Sequence, residues 1–153
     1  LSHTMRWPEE PVMLQWLQQQ GLGEEVARAW LRAAGGRPDD ALQLARSGRD
    51  VAAWSRLPKA LAKGDVTALA DMAPPVVVES LQKLCHDLMR VASGAAPRYF
   101  QAQDLPPAPS QMLLARWAKS LAQEARTADH PFNAGLMVEA LVAQARTVLH
   151  PRP

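Results

Sequence analysis

The sequence predicts an all-α fold. Apolar residues recur at helical spacing along the chain, and no segment alternates polar and apolar residues convincingly over strand length. The apolar content is 48% of 153 residues and consists mostly of Ala and Leu, the strongest helix formers, while aromatics make up only 5%. Glycines and prolines fall between the periodic stretches, where helices are expected to stop and start.

Taken in order, Pro8, Glu9, Glu10 and Pro11 open the first helix, because Pro fits a first turn and carboxylates favour the positive helix end. Met13, Trp16, Leu17 and Gln20 share one face, and Gly21-Leu22-Gly23 ends the helix. A second helix is expected over 24–34, with Val26, Ala29, Trp30 and Ala33 on one side and Gly35-Gly36 as its C-cap. Pro38-Asp39-Asp40 starts a short third helix carrying Ala41, Leu42, Leu44 and Ala45. Asp50 is a good N-cap for 51–57, and Pro58 is expected to break or kink the chain before 59–63. Gly64-Asp65 ends that helix and caps a next one bearing Val66, Leu69, Ala70 and Met72.

The longest helix is expected over 76–93, where Val77, Leu81, Leu84, Leu88 and Val91 repeat at spacings of four and three. Residues 94–109 hold four prolines and Tyr99-Phe100 and read as a loop. Ser110 caps a helix with Leu114, Trp117, Leu121 and Ala125. Asn133, in the turn 130–133, caps a last helix on which Met137, Ala140, Leu141, Gln144 and Val148 face one way. The division this predicts is a three-helix domain over 6–48 and a larger bundle of about five helices over 49–153. Residues 1–5 read as an expression scar; on that reading the chain is expected to be a fragment, with part of its function expected in a preceding portion.

Chemistry-bearing patterns are sparse. The net charge is +2 and the cations are scattered, which is too weak a field to argue for nucleic acid on its own. No stretch matches a phosphate-binding GxxxxGK[ST] loop, and Gly35-Gly36 follows a helix rather than a strand. No Glu has a His three residues on, so no bundle-type metal pair is expected. The single cysteine, Cys85, neighbours His86, but adjacent helix positions diverge by about 100° and build no nucleophile–base pair. The expectation is no catalysis, no cofactor and no metal. No apolar run approaches the roughly 18 residues that span a membrane, and with one cysteine a reducing, cytoplasmic setting is expected. Trp16, Trp30, Trp54 and Trp117 lie on apolar stripes and are expected in the core, while Trp7 is a staple or exposed. Arg98, Tyr99 and Phe100 are interface candidates, since Arg and aromatics are enriched at binding hot spots.

The order of these signals resembles one family. The segment WLRAAGGRPDDALQLA (residues 30–45) is similar to the lid segment of clamp-loader ATPase relatives, small-Gly-x-x-x-x-Ala-Leu-x-Leu. The stretches 57–65, 81–88, 94–100 and 130–133, the last before Glu139-Ala140-Leu141, resemble the collar of the delta-prime subunit of bacterial DNA polymerase III clamp loaders. The resemblance implies a non-catalytic scaffold that joins a pentameric collar with gamma/tau and delta subunits, touching DNA only indirectly and no membrane. It also implies a role for one position: ATP-using relatives begin the third lid helix with an Arg that reaches the γ-phosphate, and here that position is Asp39. A carboxylate repels triphosphate, so this lid is not expected to sense ATP, although Arg37 could stand in. Leu88 and Val91 on the long helix, and Leu141 and Val148 on the last, are the candidate docking residues under this resemblance. The alternative is a free-standing helical DNA-binding protein or adaptor. Against that, its reading helix would begin with two aspartates, which phosphates disfavour.

Overall fold

The structure, a computed structural model, describes residues 9–69, 72–129 and 133–149. Every regular element among them is helical. The chain divides into two compact units at Trp54/Ser55, inside a helix rather than at the 47–50 turn.

The first unit holds α1 (Glu10–Gln19), α2 (Glu24–Ala33) and α3 (Pro38–Arg46), each in contact with the other two. Its core is Leu17, Ala27, Trp30, Leu31, Ala33 and Ala41, with Met13 and Leu14 at its margin. Burial of each large member is worth about 1.5–3 kcal/mol. The expected α2 face is rotated: Trp30 and Ala33 are buried, but Val26 is exposed and Ala27 and Leu31 take its place. α2 ends in a Schellman turn, where Gly36 N–H donates to Leu31 O at 2.9 Å and both Gly35 and Gly36 hold positive φ. Charges at α3 complement its dipole, with Asp39 and Asp40 in the first turn and Arg46 in the last.

α4 (Val51–Ala62) begins where Asp50 Oδ1 accepts the Ala52 N–H at 3.1 Å. It then runs through Pro58 without ending there, so of the expected break or kink the break does not occur. Pro58 has no N–H to offer the carbonyl of Trp54, four residues back, and the unit boundary falls at that residue. Trp54 is buried, with the Arg49 guanidinium 5.2 Å from its ring centroid. Of the helix expected after Asp65, the described part is one 3-10 turn, Val66–Leu69, capped by Asp65 Oδ1 accepting the Thr67 N–H at 3.0 Å, and Ala70 lies outside the described residues.

α5 (Pro74–Ala92) starts two residues before the expected 76, because Pro74 and Pro75 fit its first turn. Val77, Leu81, Leu84 and Leu88 are fully buried along it, as their spacing predicts. α6 (Gln111–Ala125) is capped by Ser110, whose Oγ accepts the Leu113 N–H at 3.2 Å. The Cys85 thiol meets Leu114 O at 3.4 Å and the Gln111 amide meets Met89 O at 3.5 Å, so α5 and α6 run antiparallel. α7 (Ala134–Leu149) packs on both, and its Gln144 amide donates to Ser120 Oγ at 2.8 Å. Asn133 Oδ1 caps it by accepting the Leu136 N–H at 3.0 Å. The second unit thus has α4 from Ser55 onward and α5 to α7, where about five helices were expected, with a 3-10 turn between α4 and α5. The expected scar, Trp7 and the turn residues 130–132 lie outside the described residues. Among the described residues no helix is long and apolar enough to cross a membrane.

Gly64 ends α4 with φ +78°, and a Cβ there would lie 2.7 Å from Arg146 Cδ on α7. Replacing Gly64 by Ala is expected to cost about 1–2 kcal/mol in urea-denaturation stability, the strain of a left-handed L-residue. Adding Arg146→Ala should return only the steric part; full recovery would show that φ carries no strain.

Candidate functional site

The residues that stand out chemically lie where the last two turns of α5 meet the loop after it. α5 closes on Gly94, with Ala95 N–H donating to Arg90 O at 2.8 Å, and the chain doubles back along the helix. Arg90 Nε holds this return by donating to Ala96 O at 2.7 Å. Pro97 follows, and the next three residues turn their backbone N–H groups towards one point.

That point is Asp87, which has no exposed surface. Its Oδ1 accepts the Arg98 N–H at 2.8 Å, its Oδ2 accepts the Phe100 N–H at 2.8 Å, and the Tyr99 N–H reaches both oxygens at 3.2 and 2.9 Å. Three successive N–H groups converging on an anion form a nest, and each bond is charge-assisted. Without such donors a buried carboxylate would cost several kcal/mol. The arrangement places Phe100 in the core at 2% exposure and leaves Tyr99 half-buried and Arg98 exposed. Three nitrogen-bearing side chains gather around the Tyr99 ring. Lys83 Nζ lies 5.4 Å from its centroid, the Arg98 guanidinium 5.7 Å, and the His86 ring packs edge-on at 5.6 Å.

The expected docking residues separate by burial. Phe100, Leu88, Leu141 and Val148 fill the unit's own core. This corrects their expected place on a docking surface: the apolar stripes of α5 and α7 are already covered by the helices of the same unit. Val91, 36% exposed, together with Arg98 and Tyr99, remains at the surface. Asp39 is exposed in the first turn of α3, and Arg37 pairs with Asp40 at 3.8 Å across a largely exposed surface.

Among the described residues no three His, Cys, Asp or Glu side chains come together as a metal group. Cys85 is buried, and desolvation pushes its thiol from 9.0 up to about 11. His86, its sequence neighbour, is exposed. A groove of about 400 Å³ beside α1 and α2 is bordered by Arg28, which pairs with Glu10 at 3.7 Å and with Glu24 at 3.2 Å.

Asp87 itself is absent from the sequence-predicted set. One signal could have found it: in the α5 register it sits three residues after Leu84 and beside Leu88, a charge on the buried arc. Such a charge requires donors, and a Gly- and Pro-containing loop nearby is where unpaired N–H groups occur.

Asp87→Asn presents an amide donor to N–H groups that need acceptors. It is expected to lower unfolding free energy by about 2–3 kcal/mol, with faster amide exchange at 98–100 than elsewhere in the unit. Unchanged exchange there would show that the loop is held by other means. For Cys85, the folded chain binds the thiol proton more tightly than the unfolded chain. Its contribution to stability is therefore fully present below pH 9.0 and declines as pH rises towards about 11. At pH 8 the native thiol should alkylate at least ~10-fold more slowly than in urea, because burial both excludes the reagent and disfavours the thiolate.

Set against family profiles, curated proteins and solved structures, the chain matches none.

Proposed function

We propose that this chain is a non-catalytic assembly module, equivalent to the lid and collar of a clamp-loader delta-prime subunit, which joins gamma/tau and delta subunits in a helical ring. The observation that carries this reading is the order of its parts. A three-helix unit with Asp39 in the first turn of α3 is followed by a helical unit whose return loop, 94–100, is clamped to its longest helix. The stretches that resemble the family, 30–45, 57–65, 81–88 and 94–100, follow one another in that order along these units.

A scaffold of this kind needs rigid helices and a surface of defined chemistry. The Asp87 clamp supports the first requirement, and the exposed Val91, Arg98 and Tyr99 support the second. Asp39 supports the absence of ATP sensing, because a solvent-facing carboxylate at that turn repels a γ-phosphate. Under this reading DNA is reached only through the assembled loader, and the setting is the cytoplasm.

The test is native mass spectrometry of the chain mixed with collar regions of gamma/tau and delta subunits. A defined hetero-complex with one copy of this chain is expected, without ATP turnover by the chain alone. A folded chain that stays alone in every mixture would overturn the assignment. Salt-dependent DNA binding by the isolated chain would favour the free-standing regulator instead.

A further inference from the structure

We propose that the outward stripe of α5, with the Arg98–Tyr99 turn laid against it, is a docking face for an acidic amphipathic helix of a partner protein.

The stripe follows from helix geometry. Glu79, Lys83, His86 and Arg90 succeed one another at steps of four, three and four residues, which aligns them on one face opposite the buried Val77–Leu81–Leu84–Leu88 arc. Glu79, His86 and Arg90 are exposed. Lys83 has a covered stem (15% side-chain exposure), and its ammonium lies between Glu79, at 3.5 Å, and the Tyr99 ring. The clamp adds Arg98 and Tyr99 to the same face through their own N–H groups. Asp87 offers no oxygen for a visitor to contact, because it is fully buried and both oxygens accept backbone donors, although its charge still counts against the face.

Charge complementarity selects the occupant. Lys83, Arg90 and Arg98 outweigh the exposed Glu79 and the buried Asp87 together, so the face is cationic with one acidic end. Neighbouring positions along its stripe are about 5–6 Å apart, the spacing of i, i+3 and i, i+4 pairs on a second helix. A partner helix with carboxylates at that spacing and a cation at one end would match both sign and direction. The half-buried Tyr99 ring supplies apolar contact at the margin, which a protein helix uses and a phosphate backbone does not. Glu79 would oppose a continuous phosphate run, so nucleic acid fits less well.

No clamp-loader subunit enters the test, so this inference and the assignment above can fail separately. The probe is a labelled, lactam-stapled amphipathic peptide with glutamates at i, i+4 and i+7 and a terminal lysine, titrated by fluorescence anisotropy with the full chain. Binding is expected, weakened at least ~10-fold by Arg98→Glu. Arg126→Glu, an equal charge change at the end of α6, should alter it by less than ~2-fold. His86→Glu is the second variant should Arg98→Glu fail to fold by circular dichroism, and it too should weaken binding. No binding, equal losses in the patch and control variants, or tighter binding of a labelled single-stranded oligonucleotide would each overturn the proposal.

Discussion

The second unit depends on a buried charge and the three backbone donors that meet it. A carboxylate at position 87, on the covered side of α5, is tolerable only if the chain brings N–H groups to it, and the return loop is the segment that does so. The consequences extend beyond the loop. Phe100 is placed in the core, Arg98 and Tyr99 are left at the surface, and the path towards α6 is set. A loop with four prolines has few ways to hydrogen-bond itself, so a fixed anion is an economical organiser for it.

α5 therefore serves three layers of the architecture. Its aliphatic arc packs against α6 and α7, its carboxylate holds the loop, and its outward stripe presents Lys83, His86 and Arg90. Cys85 belongs to the packing layer: the thiol meets a carbonyl on α6, and its raised ionisation reflects burial rather than reactivity. The first unit works differently. Small residues at Ala27, Ala33 and Ala41 let three short helices close around Trp30, and glycine turns supply the chain reversals. The two units share α4, in which Pro58 interrupts the helical hydrogen-bond ladder without ending the helix.

These features bear on function through what they leave available. Covering Leu88, Phe100, Leu141 and Val148 within the unit removes the large apolar stripes as docking surfaces. What remains on the outer face of α5 is charged and aromatic, the composition of a selective interface more than of an obligate hydrophobic one. An assembly scaffold and a face for an acidic helix are compatible readings of such a surface, and neither calls on catalysis.

Much of the fold was legible in the residues. Fold class, the spacing of Val77 to Leu88, the caps at Asp50, Ser110 and Asn133 and the glycine stops are local properties, set by helical periodicity and by hydrogen bonds a few residues long. The exceptions were local contests that pattern alone does not decide, such as Pro58 inside α4 and the 3-10 turn at Val66–Leu69. The site was much less legible. Asp87 meets donors 11 to 13 residues away, and whether Phe100 or Val148 faces solvent depends on which helix covers it. The sequence by itself determined where helices begin, end and turn an apolar face, because those choices are made within one or two turns of chain. Only the tertiary structure decided which polar groups are buried together and which side chains remain exposed, because pairing a buried charge and covering an apolar stripe both require segments distant in the chain to meet.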